Sequence, residues 1–219
     1  MKFLNKFRTP HRGGKTANKV IVSLLVFLLG GGLGALSKWL DTVPVNELPA
    51  FMRSWDIANI LSLTPIWALI ALAIALFSNS PLRAAINASC FFAGVLTAYC
   101  LCSVWLAGFM LDKSYLMIWV TLAIIAFPLG FIVWYARGRG LPAIILSAVI
   151  TAYFILQAFG FDKTFSYFEL IYGFWGIAFL AAAILMLYRR FSQTLISTAA
   201  AIAIAYLIKL FGIYIPYVM

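Results

Sequence analysis

Histidine is almost missing from this chain: among 219 residues there is one, His11, close to the N-terminus. Haem held by paired imidazoles, Ser-His hydrolysis and histidine-dependent acyl or phosphoryl transfer are therefore excluded. Acids are nearly as scarce, with only Asp41, Glu47, Asp56, Asp112, Asp162 and Glu169. None lies in the middle of an apolar run, which excludes a carboxylate proton relay and leaves Lys209 without the counter-ion that a retinal Schiff base needs. The three cysteines, Cys90, Cys100 and Cys102, share one apolar segment. Their spacing fits neither a metal nor a redox motif, because residues two apart do not share a helix face. They read as packed thiols. No catalytic residue, cofactor or metal ligand set is expected.

What the chain has in abundance is apolar side chain. Hydrophobic residues make up 65% of it and charged residues only 10%, against about 25% charged in a typical soluble domain. Mean hydropathy is +1.04. The solvent for such a surface is lipid. The net charge of +10 does not indicate nucleic acid, because the bases fall at the ends of apolar segments, where they set membrane orientation.

The pattern predicts an all-α polytopic transmembrane bundle of seven helices behind a basic cytoplasmic tail at 1–19, in one domain at 20–215. Each helix is expected to cross a hydrocarbon core of about 30 Å, which takes about 20 residues. The spans fall near 20–40, 57–77, 82–106, 116–135, 142–159, 167–187 and 195–214. The tail, Arg83, Arg137 with Arg139, and Arg189 with Arg190 hold 11 of the 16 bases and none of the acids. Every acid falls on the other side. The positive-inside rule then puts the N-terminus in the cytoplasm and the C-terminus outside. "ALS" at Ala35–Ser37 resembles a signal-peptidase site, but the apolar run continues past it, so the first helix is expected to be retained.

Two external turns repeat: Asp112-Lys113-Ser114 and Asp162-Lys163-Thr164. Each following helix ends in Tyr-x-Arg, at Tyr135–Arg137 and Tyr188–Arg190. Small charged residues suit tight external turns and aromatics mark interfaces, so turn chemistry is the expected cause. A parallel duplication is the other reading. Small residues mark helix-packing faces at Gly30 and Gly34 in the first helix, and at Ser197, Ala201 and Ala205 in the last. These faces are expected to pack against each other, a partner or a second copy. The longest connection, Asp41 to Asp56, reads as an interfacial linker or as a lid over an outward-facing polar cluster. That cluster would comprise Lys38, Asp41, Arg53, Asp56, Asn59, Glu169, Tyr206 and Lys209, with Gln157 and Tyr172 in reach. Lys209 is expected to face the bundle beside Asp41, Asp56 or Glu169, with Tyr206 one turn earlier on the same face.

"LGALSKWLD", "SNSPLRAAINASCFFAGVLTAY" and "WYARGRG", covering Gly34–Asp41, Ser78–Tyr99 and Trp134–Gly140, together resemble a family of small multi-pass bacterial membrane proteins of unknown function. The resemblance implies a bacterial inner or plasma membrane protein and supplies no site residues. The glycine face at Gly30–Ala35 and the external loop Asp41–Asp56 also resemble parts of the substrate-binding subunits of energy-coupling-factor vitamin transporters. Those subunits usually have six helices, dock through a small-residue face of their first helix and cap the ligand with their first external loop. Two functions follow as expectations. The first is a non-enzymatic membrane protein acting through a membrane partner in assembly, immunity or regulation. The second is an outward-facing small-molecule binding or transport subunit. The partners expected are the lipid bilayer and a membrane protein or second copy, with no nucleic acid.

Overall fold

The computed structural model describes residues 6–11, 15–110 and 112–213. It is 79% helical. In chain order the elements are α1 (Thr16–Thr42), α2 (Ala50–Ser54), α3 (Ile57–Ser62), α4 (Thr64–Phe77), α5 (Pro81–Ala107), α6 (Lys113–Val133) and α7 (Leu141–Ala158). They continue with β1 (Phe159–Phe161), β2 (Phe168–Leu170), α8 (Gly173–Leu187) and α9 (Phe191–Leu210). Short 3-10 turns occupy Val45–Glu47 and Trp134–Arg137.

Five helices, α1, α5, α6, α7 and α9, are long and apolar enough to cross a membrane, while α4 and α8 are shorter apolar helices. Large apolar side chains stay exposed along the long helices, such as Leu25 at 59%, Trp105 at 86% and Ile124 at 68%. Water would not tolerate that surface and lipid would. The protein is an all-α multi-pass membrane protein.

Two of the seven expected spans are not continuous long helices. The expected span at 57–77 is divided between α3 and α4, with Leu63 between them. Pro65 brings no N–H and its ring crowds the carbonyl four residues back, so a helix arriving at Leu61 cannot run through. The expected span at 167–187 begins late. Its first residues form β2, paired antiparallel with β1 in the register Phe159↔Leu170, Gly160↔Glu169 and Phe161↔Phe168.

The described residues contact one another as two compact units. One comprises His11–Ser62 and Phe77–Ile132, and α1 packed along α5 is its centre. The crossing is set by glycine on both sides. A Cβ on Gly30 would lie 2.1 Å from the Phe91 carbonyl oxygen, one on Gly34 2.4 Å from that of Val95, and one on Gly94 2.1 Å from that of Phe27. Backbone therefore meets backbone, and the gain is dispersion contact that larger residues would forbid. A polar clasp closes the pair near the start of α5. Arg83 donates to the Lys19 carbonyl and to Ser23 Oγ, Ser23 Oγ donates to Asn87 Oδ1 (2.7 Å), and Asn87 Nδ2 donates to Ser78 Oγ (3.2 Å). Ser80 caps α5 by accepting from the Arg83 N–H at 3.2 Å, just before Pro81. Gly130 of α6 sits 2.9 Å, measured from its ideal Cβ, from the Ala84 carbonyl oxygen of α5.

The other unit, among the described residues, comprises 6–10, Leu63–Leu76 and 133–213. Here α7 packs against α8 and α9. Ser197, Ala201 and Ala205 are all buried on α9, and the two alanines join Ala148, Ala152, Ile155 and Leu156 of α7 and Phe161 in one core. Gly176 of α8 lies against Ala158. Ser197 thus belongs to a packing face, but that face meets α7. The small-residue face of α1 likewise meets α5. Both faces are used within their own units.

Phe7 and Arg8 are held as well. The Arg139 N–H donates to the Phe7 carbonyl at 2.7 Å, and Arg8 donates to the carbonyls of Trp134 and Leu76, the latter at 2.9 Å. The Arg8 guanidinium also lies 4.0 Å from the Trp134 ring centroid.

Candidate functional site

The eight residues of the expected outward cluster fall into both units. Lys38, Asp41, Arg53, Asp56 and Asn59 belong to the first, and Glu169, Tyr206 and Lys209 to the second. Each group has its own geometry.

In the first unit the informative residue is Lys38. It is only 6% exposed, and its ammonium lies 5.3 Å from the Tyr99 ring and 5.2 Å from the Phe109 ring. Tyr99 is on α5, Phe109 follows it, and Asp41 lies one turn beyond Lys38 on α1. Tyr99 donates its hydroxyl to Asp41 Oδ2 at 2.6 Å, which fixes the ring beside the ammonium. Among the described residues no carboxylate forms an ion pair with Lys38, whose contacts are the two rings. Rings offer a cation their negative faces, worth about 0.5–2 kcal/mol, but no hydrogen-bond acceptor. Asp56 does local work instead. It adopts a left-handed backbone at φ 53° and accepts from Asn59 Nδ2 at 2.8 and 3.0 Å. Asp56 and Asn59 are exposed, as is Arg53. The loop above is not open coil: it carries a 3-10 turn and α2, and Leu48 between them is 3% exposed.

In the second unit Tyr206 and Lys209, one turn apart on α9, do share a face. Tyr206 stacks on Phe165, which stacks on Phe161, with centroids 5.6 and 5.5 Å apart. The Lys209 ammonium lies over Phe161 at 5.7 Å. Tyr206 also donates to the Lys163 carbonyl at 3.3 Å. Glu169 is exposed on β2 and folds over Gly160. Gln157 is buried in α7, and Tyr172 precedes α8.

The two Asp-Lys turns do different jobs. Asp112 precedes α6 and accepts from the Ser114 N–H at 2.8 Å, as a helix cap. Asp162 organises the β1–β2 turn, accepting from the Ser166 N–H (2.7 Å) and hydroxyl (2.6 Å) and from the Thr164 hydroxyl. These bonds, the Ser166 hydroxyl first, hold its carboxyl well below the ordinary 3.8. In both, the aspartate accepts a backbone N–H from a following serine.

The arginines that signal orientation in the sequence also form a site. Arg137, Arg139, Tyr188, Arg189 and Arg190 line one open cleft of about 430 Å³. The two Tyr-x-Arg helix ends therefore converge. Arg189 Nη1 donates to the Arg137 carbonyl at 3.0 Å. Arg8 is next to them: burial, then the charges of Arg137 and Arg189, bring its pKa down to about 10, so it stays charged. The sequence signal was the repetition of Tyr-x-Arg. Its convergence depends on the α7–α8 packing, which no spacing reveals.

Compared with protein families, characterised proteins and solved structures, the chain matches none.

Proposed function

We propose that the protein is a non-enzymatic multi-pass protein of a bacterial cell membrane, with its N-terminus in the cytoplasm, and that it binds a small carboxylate at the outer end of the α1–α5 pair. One observation carries this reading: a buried ammonium, Lys38, flanked by two aromatic rings and lacking a carboxylate partner among the described residues. Burying a charge without a pair is costly, and such residues inside spans mark ligand or ion sites. A ligand carboxylate would supply the missing acceptor, and the Tyr99 and Phe109 rings would flank its apolar part. Action through a docked partner has less support, because the glycine face of α1 and the alanine face of α9 are occupied by α5 and α7.

The test uses purified full-length protein in uncharged detergent, heated in sodium acetate or succinate against sodium chloride at equal ionic strength. A ligand at 100 times its Kd stabilises by about 2.7 kcal/mol, so wild-type protein should melt several degrees higher in one of the carboxylates. Lys38→Met, which keeps the apolar stem between the rings, should lose that gain. An equal gain in Lys38→Met, or none in wild type, overturns the reading.

Orientation has its own experiment. In a background free of Cys90, Cys100 and Cys102, cysteines at Asn79 and Ser192 should resist an impermeant thiol reagent in intact cells. Cysteines at Asn46, Ser114 and Lys163 should react. All five positions are exposed or turn residues on the protein surface. Labelling at Ser192 with protection at Lys163 would invert the threading.

A further inference from the structure

We propose that the arginine-lined cleft is a binding site for a doubly charged phosphate, carried either by a lipid headgroup or by a soluble phosphate. The cleft is lined by four guanidiniums and one phenol, with the Arg8 guanidinium adjoining, and no carboxylate is among the lining groups. Within this unit the carboxylates are Asp162 and Glu169. They lie at the far ends of α7, 18 residues long, and α8, 15 residues long. At 1.5 Å per residue that is a separation of about 22–27 Å.

The placement of the arginines runs against helix electrostatics. Arg139 lies two residues before α7, with Arg137 at the end of the 3-10 turn ahead of it, and Arg189 and Arg190 immediately precede α9. Helix N-termini carry partial positive charge and favour anions. Neither of these two ends has an acid in its first turn or a side-chain cap. Positive side chains at two positive helix ends repel one another, and a dianion between them removes the conflict. The charges are also held in place. Arg189 is tied to the Arg137 carbonyl and Arg8 to two others. Guanidiniums suit phosphate because their paired N–H groups match its oxygens. A volume of about 430 Å³ falls within the ~300–1,000 Å³ of small-ligand sites. Leu141 and Phe191, which follow the cleft arginines in the chain, are 67% and 74% exposed and offer apolar surface for acyl chains, so a headgroup is a natural source.

The experiment titrates full-length protein, in uncharged detergent at constant ionic strength, with sodium phosphate, dioctanoyl phosphatidic acid or dioctanoyl phosphatidylcholine. Melting temperature and tryptophan fluorescence are followed, since Trp134 lies under Arg8. Saturable binding is expected to phosphatidic acid or to phosphate, at least tenfold tighter than to phosphatidylcholine. Response to the lipid alone assigns a headgroup, and response to sodium phosphate assigns a soluble source. Arg139→Gln with Arg190→Gln should weaken binding at least tenfold. Both residues are exposed, and their side chains form no hydrogen bond among the described residues, so the fold should survive. Lys15→Gln with Lys19→Gln removes the same charge elsewhere and should leave binding within twofold. Absence of saturation in wild type overturns the proposal. So does equal weakening by the lysine pair, which would mean diffuse attraction to a basic surface.

Discussion

Gly30→Leu is expected to destroy the α1–α5 packing, while Gly32→Ala, two residues away, is expected to leave it intact. A Cβ on Gly30 alone would stand 2.1 Å from a carbonyl oxygen of α5, whereas one on Gly32 meets nothing within 4 Å. Backbone cannot swing aside as a side chain can. The helices must therefore separate, and separation strips contact from Gly34 and Gly94 as well. Overpacking in ordinary cores costs about 1–3 kcal/mol, and a helix-to-helix backbone clash belongs at or above the upper end. Gly30→Leu should fail to yield a monodisperse protein in detergent. Gly30→Ala should yield protein that melts well below wild type, as should Gly94→Ala from the opposite side. At Gly32 alanine removes a flexible glycine from a helix, which is worth up to about 1 kcal/mol in the stabilising direction. Equal melting temperatures for Gly30→Ala and Gly32→Ala would show that the helices do not cross where described.

Arg8 is the second position where a large effect is expected. Its guanidinium donates to the carbonyl of Leu76 in the last turn of α4 and to that of Trp134, which follows α6, while stacking on the Trp134 ring. Final-turn carbonyls have no intrahelical donors, and a cation there also complements the negative helix end. Arg8→Met leaves two carbonyls in a half-buried setting without that donor, at about 1–3 kcal/mol each for groups fully removed from water. Arg8→Lys should not restore the loss, since an ammonium lacks the planar fork that reaches two acceptors and stacks on indole. The expected result is a drop in melting temperature for both variants, with faster proteolysis near Phe7. Wild-type behaviour in Arg8→Lys would reduce Arg8 to a generic positive charge.

Hydropathy made the apolar helices legible because lipid imposes one rule on every span. It failed where backbone chemistry outweighs average apolarity. Pro65 stood in plain view, yet a window twenty residues wide passes over it, and the helix breaks there. The window that begins at Tyr167 averages apolar enough for a span, but aromatic Phe168 suits a pleated strand, and the Asp162 turn brings Phe168–Leu170 back onto β1. Small-residue faces were legible as faces. Their partners, α5 and α7, were not, since a stripe of glycine or alanine says that something approaches closely without saying what. Lys38 stood out as an ionisable residue near a helix end. Its burial between Tyr99 and Phe109 comes from two other parts of the chain and follows only from the crossing of α1 and α5. The arginines were legible as charges and illegible as a cleft.

The β1–β2 hairpin has a consequence for membrane thickness. Two short strands leave backbone groups unpaired on their outer edges, so the hairpin belongs at the watery boundary and not in hydrocarbon. The helix that follows, α8, has 15 residues, or about 22 Å of length, against a hydrocarbon core of about 30 Å. Were α8 to cross the bilayer with one end held at the boundary by the hairpin and its exposed Phe168 and Leu170, the other end would fall about 8 Å short of the opposite headgroups. The arginines at that end cannot stretch the helix. Hydrophobic mismatch would then draw the lipid phosphates inward and dimple the leaflet beside Arg189 and Arg190.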